Sequence, residues 1–193
     1  MARTKDFDED EVLTKAMHLF WLKGYSGTSM QDLVDELGIS RSSMYDTFGD
    51  KHSLFLKALE SYKRASSAHI TRIVEQAPSS KEAVRQMLEY TIKELVRDKE
   101  HKGCFLVNAA VEVAPHDKEV SDMLCQNDRQ MEEYYYEVIR KGQEKGEITN
   151  TTDARTLTRF IFNSIKGIRV TSKSIPDKKM FQDIVNLTLS VLG

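Results

Sequence analysis

Two cysteines, Cys104 and Cys125, are all the thiol the 193-residue chain carries. That is too few for a disulfide framework and fits free thiols in a reducing compartment. Proline is rarer still relative to its usual share, with three residues (Pro78, Pro115, Pro176), and glycine stops at nine. These breakers lie between long stretches rich in Glu, Lys, Leu, Met and Ala, which predicts an all-α protein and excludes parallel-sheet and sandwich folds. No run of about 18 apolar residues occurs, as a spanning helix needs, so no membrane partner is expected. Residues 1–11 are charged throughout and lack the apolar core of a secretory signal, which places the protein in the cytoplasm. Neither sign of charge dominates: 28 Lys and Arg face 30 Asp and Glu, and no tail or charged block stands out.

Catalytic and metal-binding signatures are missing as well. The chain has no Glu-x-x-His for a di-iron bundle, no HExxH, no G-x-S-x-G and no G-x-G-x-x-G, so it is not expected to be an enzyme. His101 with Cys104 and His116 with Cys125 are two loose pairs rather than a ligand set, and neither metal nor cofactor is expected.

What is present is helical period. Val12, Leu13, Ala16, Met17 and Phe20 recur on one face of a helix over about residues 8–24, with Asp8 as N-cap, Glu11 completing a capping box and Phe7 stapling against Val12. Thr28 and Gln31 repeat the capping-box spacing before Met30, Leu33, Val34 and Leu37. Gly38 suits a left-handed stop, Ser40 a new N-cap, and residues 41–48 a third short helix with Met44 and Phe48 inward. Asp50 opens a long helix to about Gln76, in which Leu54, Phe55, Ala58, Leu59, Tyr62, Ile70, Ile73 and Val74 keep the period. Beyond Ser80 the breaks leave helices at about 81–99, 103–114, 117–145, 152–173 and 177–192, nine in all. The organisation read from this is a helix-turn-helix domain over 1–50, a connecting helix over 51–76 and a second helical domain over 77–193.

Residues 28–48 carry the informative chemistry: a short helix, a turn containing Gly38 and a second short helix. Such a second helix, about 10 to 12 Å across, fits a DNA major groove about 12 Å wide. With Met44 and Phe48 packed inward, Arg41, Ser42, Ser43, Tyr45 and Thr47 fall on the outer face. Arg41 can present two donors to guanine, while the hydroxyls reach base edges or phosphates. Ser29, Gln31 and Lys51 sit in first turns of helices, where free N–H groups favour an anion, and Arg3 and Lys5 add contacts from an N-terminal arm. Charge speaks against this reading, since residues 1–64 hold nine Lys and Arg against eleven Asp and Glu. The acids at 8–11 and at Asp35 and Glu36 can sit away from a groove face; Asp32 and Asp46 lie closer. A helical adaptor without DNA binding is the competing reading that this charge favours.

Residues 8–62 resemble the N-terminal DNA-binding domain of the TetR/AcrR family of bacterial transcriptional regulators. The resemblance is carried by Ala16, Leu19-Phe20, Gly24-Tyr25, Thr28-Ser29, Leu37-Gly38-Ile39-Ser40, Met44-Tyr45, Phe48, Lys51 and Leu54. It implies a homodimer of about nine helices per chain, a C-terminal domain that binds a small-molecule effector, and repression relieved by that effector. Carried over by position, it implies phosphate contacts from Thr28, Ser29, Tyr45 and Lys51 and base reading by Gln31, Arg41, Ser42 and Ser43. Two departures affect which operator is read: His52 stands where the family often has Glu, and Arg41-Ser42 replaces the usual glycine of the recognition helix.

In the C-terminal half, Asn108 and Glu112 interrupt an apolar helix one turn apart. Either they are satisfied core groups, with Glu112 paired to a residue such as Arg129, or they line an effector pocket with Met87, Tyr90, Cys104, Met131, Tyr134, Tyr135 and Phe160. The Tyr and Met residues at helical spacing are equally what plain core looks like. Cys104, beside Lys102 and a helix start, is either a thiolate sensor of oxidants or electrophiles or a buried inert thiol. For dimerisation, the apolar positions Phe160, Ile161, Ile165 and Ile168 with the small Gly167 on one helix, and Phe181, Ile184, Val185 and Leu189 on the next, are the candidate interface. A twofold dimer sets two recognition helices on a palindrome, because one reads too few base pairs.

Overall fold

Short polar side chains start every described helix but α6 in the computed structural model, which describes residues 7–175 and 177–193. Nine helices are found among the described residues: α1 Glu9–Lys23, α2 Met30–Leu37, α3 Arg41–Phe48, α4 Lys51–Gln76, α5 Ser80–Arg97, α6 Phe105–Glu112, α7 Lys118–Glu144, α8 Ala154–Thr171 and α9 Lys178–Ser190. Asp8, Ser40, Asp50, Ser79, Asp117, Asp153 and Asp177 each accept a backbone N–H from the first turn that follows, satisfying donors the helix itself leaves open. The all-α, nine-helix architecture read from the sequence is the observed one.

Two caps differ from expectation. The capping box of α2 is built by Ser29 and Asp32, one residue later than Thr28 and Gln31. The reason lies in the turn before it: Thr28 is fully buried, and its hydroxyl donates to the Gly24 carbonyl at 2.7 Å. Asp8 caps α1, while Glu11 forms an ion pair with Lys15 at 2.8 Å. Between α2 and α3, Gly38 adopts φ 66°, the left-handed conformation that closes the turn at least cost when no Cβ is present.

Two apolar cores share α4. One gathers Val12, Ala16, Phe20, Leu33, Leu37, Met44 and Phe48 around the start of α4 at Leu54, Phe55, Ala58 and Leu59. It also takes in Phe105 and Ala109 of α6 and Val120 and Leu124 of α7. The other packs Ile70 of α4 against α5, the second half of α7, α8 and α9. Packing therefore does not part at residue 77, since α6 and the start of α7 lie against the first three helices.

The expected dimer residues divide sharply. Ile161, Ile165, Ile168, Phe181, Val185 and Leu189 are buried in the protomer's own second core and leave no side chain for a partner. That is a correction to the sequence reading, caused by α8 and α9 using their most apolar faces to cover α5 and α7. Phe160, 49% exposed, remains outside with Gly167, and Ile184 is half-buried. Val170 and Leu187 are exposed on the same two helices, at 52% and 69%.

Candidate DNA interface and ligand cavity

Helix α3 presents Arg41, Ser42, Tyr45 and Asp46 to solvent, because Met44 and Phe48 are held in the core at 0% and 4% exposure. Ser43 and Thr47 are half-buried at its flanks. Three hydroxyls cluster at the helix start: Ser40 Oγ lies 3.0 Å from Ser42 Oγ and 2.8 Å from Ser43 Oγ, and it accepts the Ser43 N–H. Ser29 is exposed at the start of α2, and Gln31 points outward with its amide donating to Asp35 at 2.8 Å. Lys51 stands over the Tyr25 ring, its Nζ 4.3 Å from the centroid. Burial pulls the Lys51 ammonium below its usual range, with Glu112 and Asp32 opposing. Arg3 and Lys5 lie outside the described residues.

Thr28 is the one expected contact that the structure removes. Its side chain is enclosed and spent on the Gly24 carbonyl, so it shapes the turn that delivers Ser29 and has no hydroxyl to offer a phosphate. The acidic balance is also resolved locally. Asp32, one of the two uncomfortable carboxylates, pairs with Lys23 at 2.6 Å and accepts from Ser29, which holds it well below the usual carboxylate range. Asp46 stays exposed on α3.

Polar contacts tie the head and the start of α4 to the rest of the chain, among them His18 Nε2 at 3.1 Å from Glu100. Glu112, at the end of α6, accepts the backbone N–H of Tyr25 at 3.1 Å and of Ser26 at 2.8 Å. Gly24 makes room for it: φ is 79°, and a Cβ there would meet the Glu112 carboxylate at 2.8 Å. His52 Nε2 lies 2.7 Å from Asp117, the N-cap of α7, so the unusual His52 joins α4 to α7. Asp117 is held below its ordinary range first by the Val120 N–H and then by His52.

Glu112 is therefore neither paired to Arg129 nor in a pocket. Asn108 donates its amide to the Lys102 carbonyl at 2.8 Å and is satisfied within its own loop. Of the other pocket candidates, Met87 is fully buried core, Phe160 faces solvent on α8, and Tyr134 lines a groove with Val74, Pro78 and Ser79 at the α4–α5 turn. Tyr90 and Cys104 do share a cavity, of about 310 Å³, with Met17, Trp21, Tyr62, His69, Leu95 and Arg169 among its walls. Met131 and Tyr135 line a smaller one of about 50 Å³ with Ile70, Leu106, Phe162 and Arg169. Ser66 and Arg169 belong to both.

Rings build the larger cavity. His69 stacks on Tyr90 with centroids 4.0 Å apart, and Tyr62 meets Trp21 edge-on at 5.0 Å. Cys104 is buried, with the Tyr62 hydroxyl 3.8 Å from its sulfur, while Cys125 is exposed. Burial raises the phenols of Tyr62 and Tyr90, and it pushes that of Tyr135 up to about 12. Sequence reading missed Trp21, Tyr62, His69 and Arg169 as neighbours of one cavity. Only Arg169 left a signal, a cation one turn after Ile165 on the buried side of α8. Among the described residues no group of three His, Cys, Asp or Glu side chains could hold a metal ion, and no helix is long and apolar enough to cross a membrane.

Comparison with known proteins gives matches in both halves of the chain. Residues 12–58 match the family described as bacterial regulatory proteins, tetR family, and residues 80–187 match the tetracyclin repressor-like C-terminal domain. The chain is 36% identical over 193 residues, the whole length of both, to the HTH-type transcriptional regulator YezE of Bacillus subtilis. It is 27% identical over 188 residues, 97% of this chain and 90% of the relative, to the HTH-type transcriptional repressor ComR of Escherichia coli. A cysteine mutant of the TetR family regulator CifR, in complex with 26 bp double-strand operator DNA, superposes over the whole of both chains with a TM-score of 0.89 at 28% identity. With matches that run through both halves of the molecule, the chain belongs to the TetR family of bacterial transcriptional regulators.

Proposed function

We propose that the protein is a cytoplasmic, non-catalytic repressor that binds a palindromic operator as a homodimer and leaves it when a small molecule occupies the cavity between head and body. The exposed row Arg41, Ser42 and Tyr45 on α3 carries this reading, supported by the likeness to a regulator in complex with operator DNA. Arg41 reads bases with a bidentate guanidinium, and Ser42 and Ser43 reach base edges or phosphates. Ser29, Gln31, Tyr45, Thr47 and Lys51 position the head on the backbone. The functional division is a DNA-binding head over 1–50, the connecting α4, and an effector-binding and dimerising body over 77–193.

Dimerisation uses what α8 and α9 leave uncovered. Phe160, Gly167, Val170 and Leu187 form the exposed face, and a Cβ at Gly167 would meet nothing within 4 Å in the protomer, so a partner helix can approach closely there. Two recognition helices then lie about 34–36 Å apart or a multiple of it. Ligand entry shifts α4 and α6 together, because Tyr62, Cys104 and Trp21 face one cavity while Glu112 grips the head and His52 joins α4 to α7. The spacing of the two α3 helices changes and operator affinity falls.

Fluorescence-anisotropy titration on the DNA upstream of the protein's own gene, at two salt concentrations and against a scrambled competitor, tests the reading. Saturable, salt-sensitive binding that the competitor fails to displace is expected, and Arg41→Ala removes its sequence preference. Failure on that duplex and on selected random DNA hands the molecule to the adaptor reading.

A further inference from the structure

Among the described residues, each arginine other than Arg169 is either ion-paired or open to solvent. Arg85, Arg97, Arg140, Arg155 and Arg159 have carboxylate partners, and Arg41, Arg64, Arg72 and Arg129 are exposed. Arg169 is half-buried where it lines both cavities, and no described carboxylate or carbonyl receives its guanidinium. Its neighbours are Cys104, Tyr62, Tyr135 and Tyr90, and the three phenols, raised by burial, supply no countercharge at pH 7. Burial opposes the charge on Arg169, and a guanidinium keeps its proton at neutral pH all the same. A second donor waits beside it: the buried indole N–H of Trp21 has no acceptor among the described residues. A half-buried unpaired charge and a buried unpaired N–H are both unfavourable until an acceptor arrives.

We propose that the effector is a small organic monocarboxylate on an aromatic or apolar body, with its carboxylate paired to Arg169. This rests on the reading that the cavity takes the effector, and it names that effector's chemistry. A planar guanidinium matches a carboxylate bidentately. The hydroxyls of Tyr62 and Tyr90 and the Trp21 N–H are further donors around the same space. Met17, Trp21, Leu95 and the stacked His69–Tyr90 pair receive the body. At about 310 Å³ the cavity suits a compact ligand. The same wall sets the charge at one. Asp98 is held by Lys102 at 3.1 Å and by the Gly103 N–H at 2.9 Å, and Glu94 faces solvent near Arg97. Both carboxylates repel a second negative group.

The full-length protein is titrated calorimetrically with benzoate, phenylacetate and phenylpropionate, each beside its neutral amide, and the same compounds are then added to the operator complex. At least one carboxylate is expected to bind about tenfold or more tighter than its amide, and Arg169→Gln to erase that preference while Arg169→Lys retains part of it. Without ligand, Arg169→Gln melts at an equal or higher temperature than wild type, because a half-buried unpaired charge has been removed; a structural role for Arg169 gives the opposite sign. Amides that bind as well as the acids, no binding by any acid, or an unchanged preference in Arg169→Gln each overturn the proposal. Carboxylate binding without operator release leaves it standing and removes the release mechanism instead. Amides that release the operator do the reverse.

Discussion

The DNA-binding head and the cavity behind it satisfy their polar groups in opposite ways. In the head, partners lie close in sequence: Ser29 with Asp32, Ser40 with Ser43, Asp50 with Ser53, and Lys23 with Asp32 only nine residues on. In the cavity, Trp21, Tyr62, Tyr90, Cys104 and Arg169 arrive from five parts of the chain, and the Trp21 N–H and the Asp98 Oδ1 in its wall have no hydrogen-bond partner among the described residues. The DNA-facing helix starts are thus satisfied turn by turn, whereas the cavity keeps unmet demand inside.

The largest expected effect probes the ring cluster that binds the two regions. Phe55 is 1% exposed, with Phe20, Tyr25 and Phe105 at centroid distances of 5.2, 4.7 and 5.6 Å. Phe55→Ala should cost about 3–5 kcal/mol in chemical denaturation, and loss of α6 packing should make head and body unfold in separate steps. If a single unchanged transition persists, the two regions are not joined through this cluster. Next comes the outer face of α8: Gly167→Met places a long side chain where a partner helix approaches, weakening the dimer by about 1–3 kcal/mol in sedimentation equilibrium without lowering the protomer's helicity.

A smaller effect separates binding from response. Glu112→Gln leaves one acceptor for the two N–H groups of Tyr25 and Ser26, and should lower stability by about 1–2 kcal/mol. Operator affinity should hold while ligand-driven release weakens; release at the wild-type ligand concentration would sever Glu112 from signalling. The smallest effect is the acid limb. Asp50 and Asp117 are held below the ordinary carboxylate range, first by the N–H groups of Ser53 and Val120. Their contribution is complete above the unfolded value of about 3.9 and fades as pH falls through the lower folded values. Melting temperature should therefore decline below about pH 4, with a shallower slope in the double variant Asp50→Asn, Asp117→Asn.

The same contrast explains what was legible in the sequence. Asp8, Ser40 and Asp50 announce helix starts because a cap is a local bond, and Gly38 announces a turn because its left-handed φ disfavours a Cβ. The one-residue slip to Ser29 came from Thr28 being drawn inward by a carbonyl four residues back, a contact that local spacing does not encode. For α8 and α9 the apolar positions were legible but not which neighbour would claim them, so Ile161, Ile165, Phe181 and Val185 pointed to a partner chain and belong to their own. Glu112 failed for a similar reason: the N–H groups that receive it lie 86 and 87 residues away. Arg169 is a cation in register with the apolar face of α8, yet no pattern states that the facing helices would leave it without a partner.

Helix α4 is anchored at Leu54–Leu59 in one core and at Ile70 in the other, with no fully buried residue on the ten positions between. That span, including Tyr62, Lys63, Ser66 and Ser67, borders both cavities instead. Thin packing makes it the place where backbone amides open most readily, so deuterium uptake along the helix should show a maximum in its middle and protected flanks. A bound molecule would quiet that maximum, turning a loosely supported joint into a rigid rod and passing its presence to the head as lost motion before any change of angle.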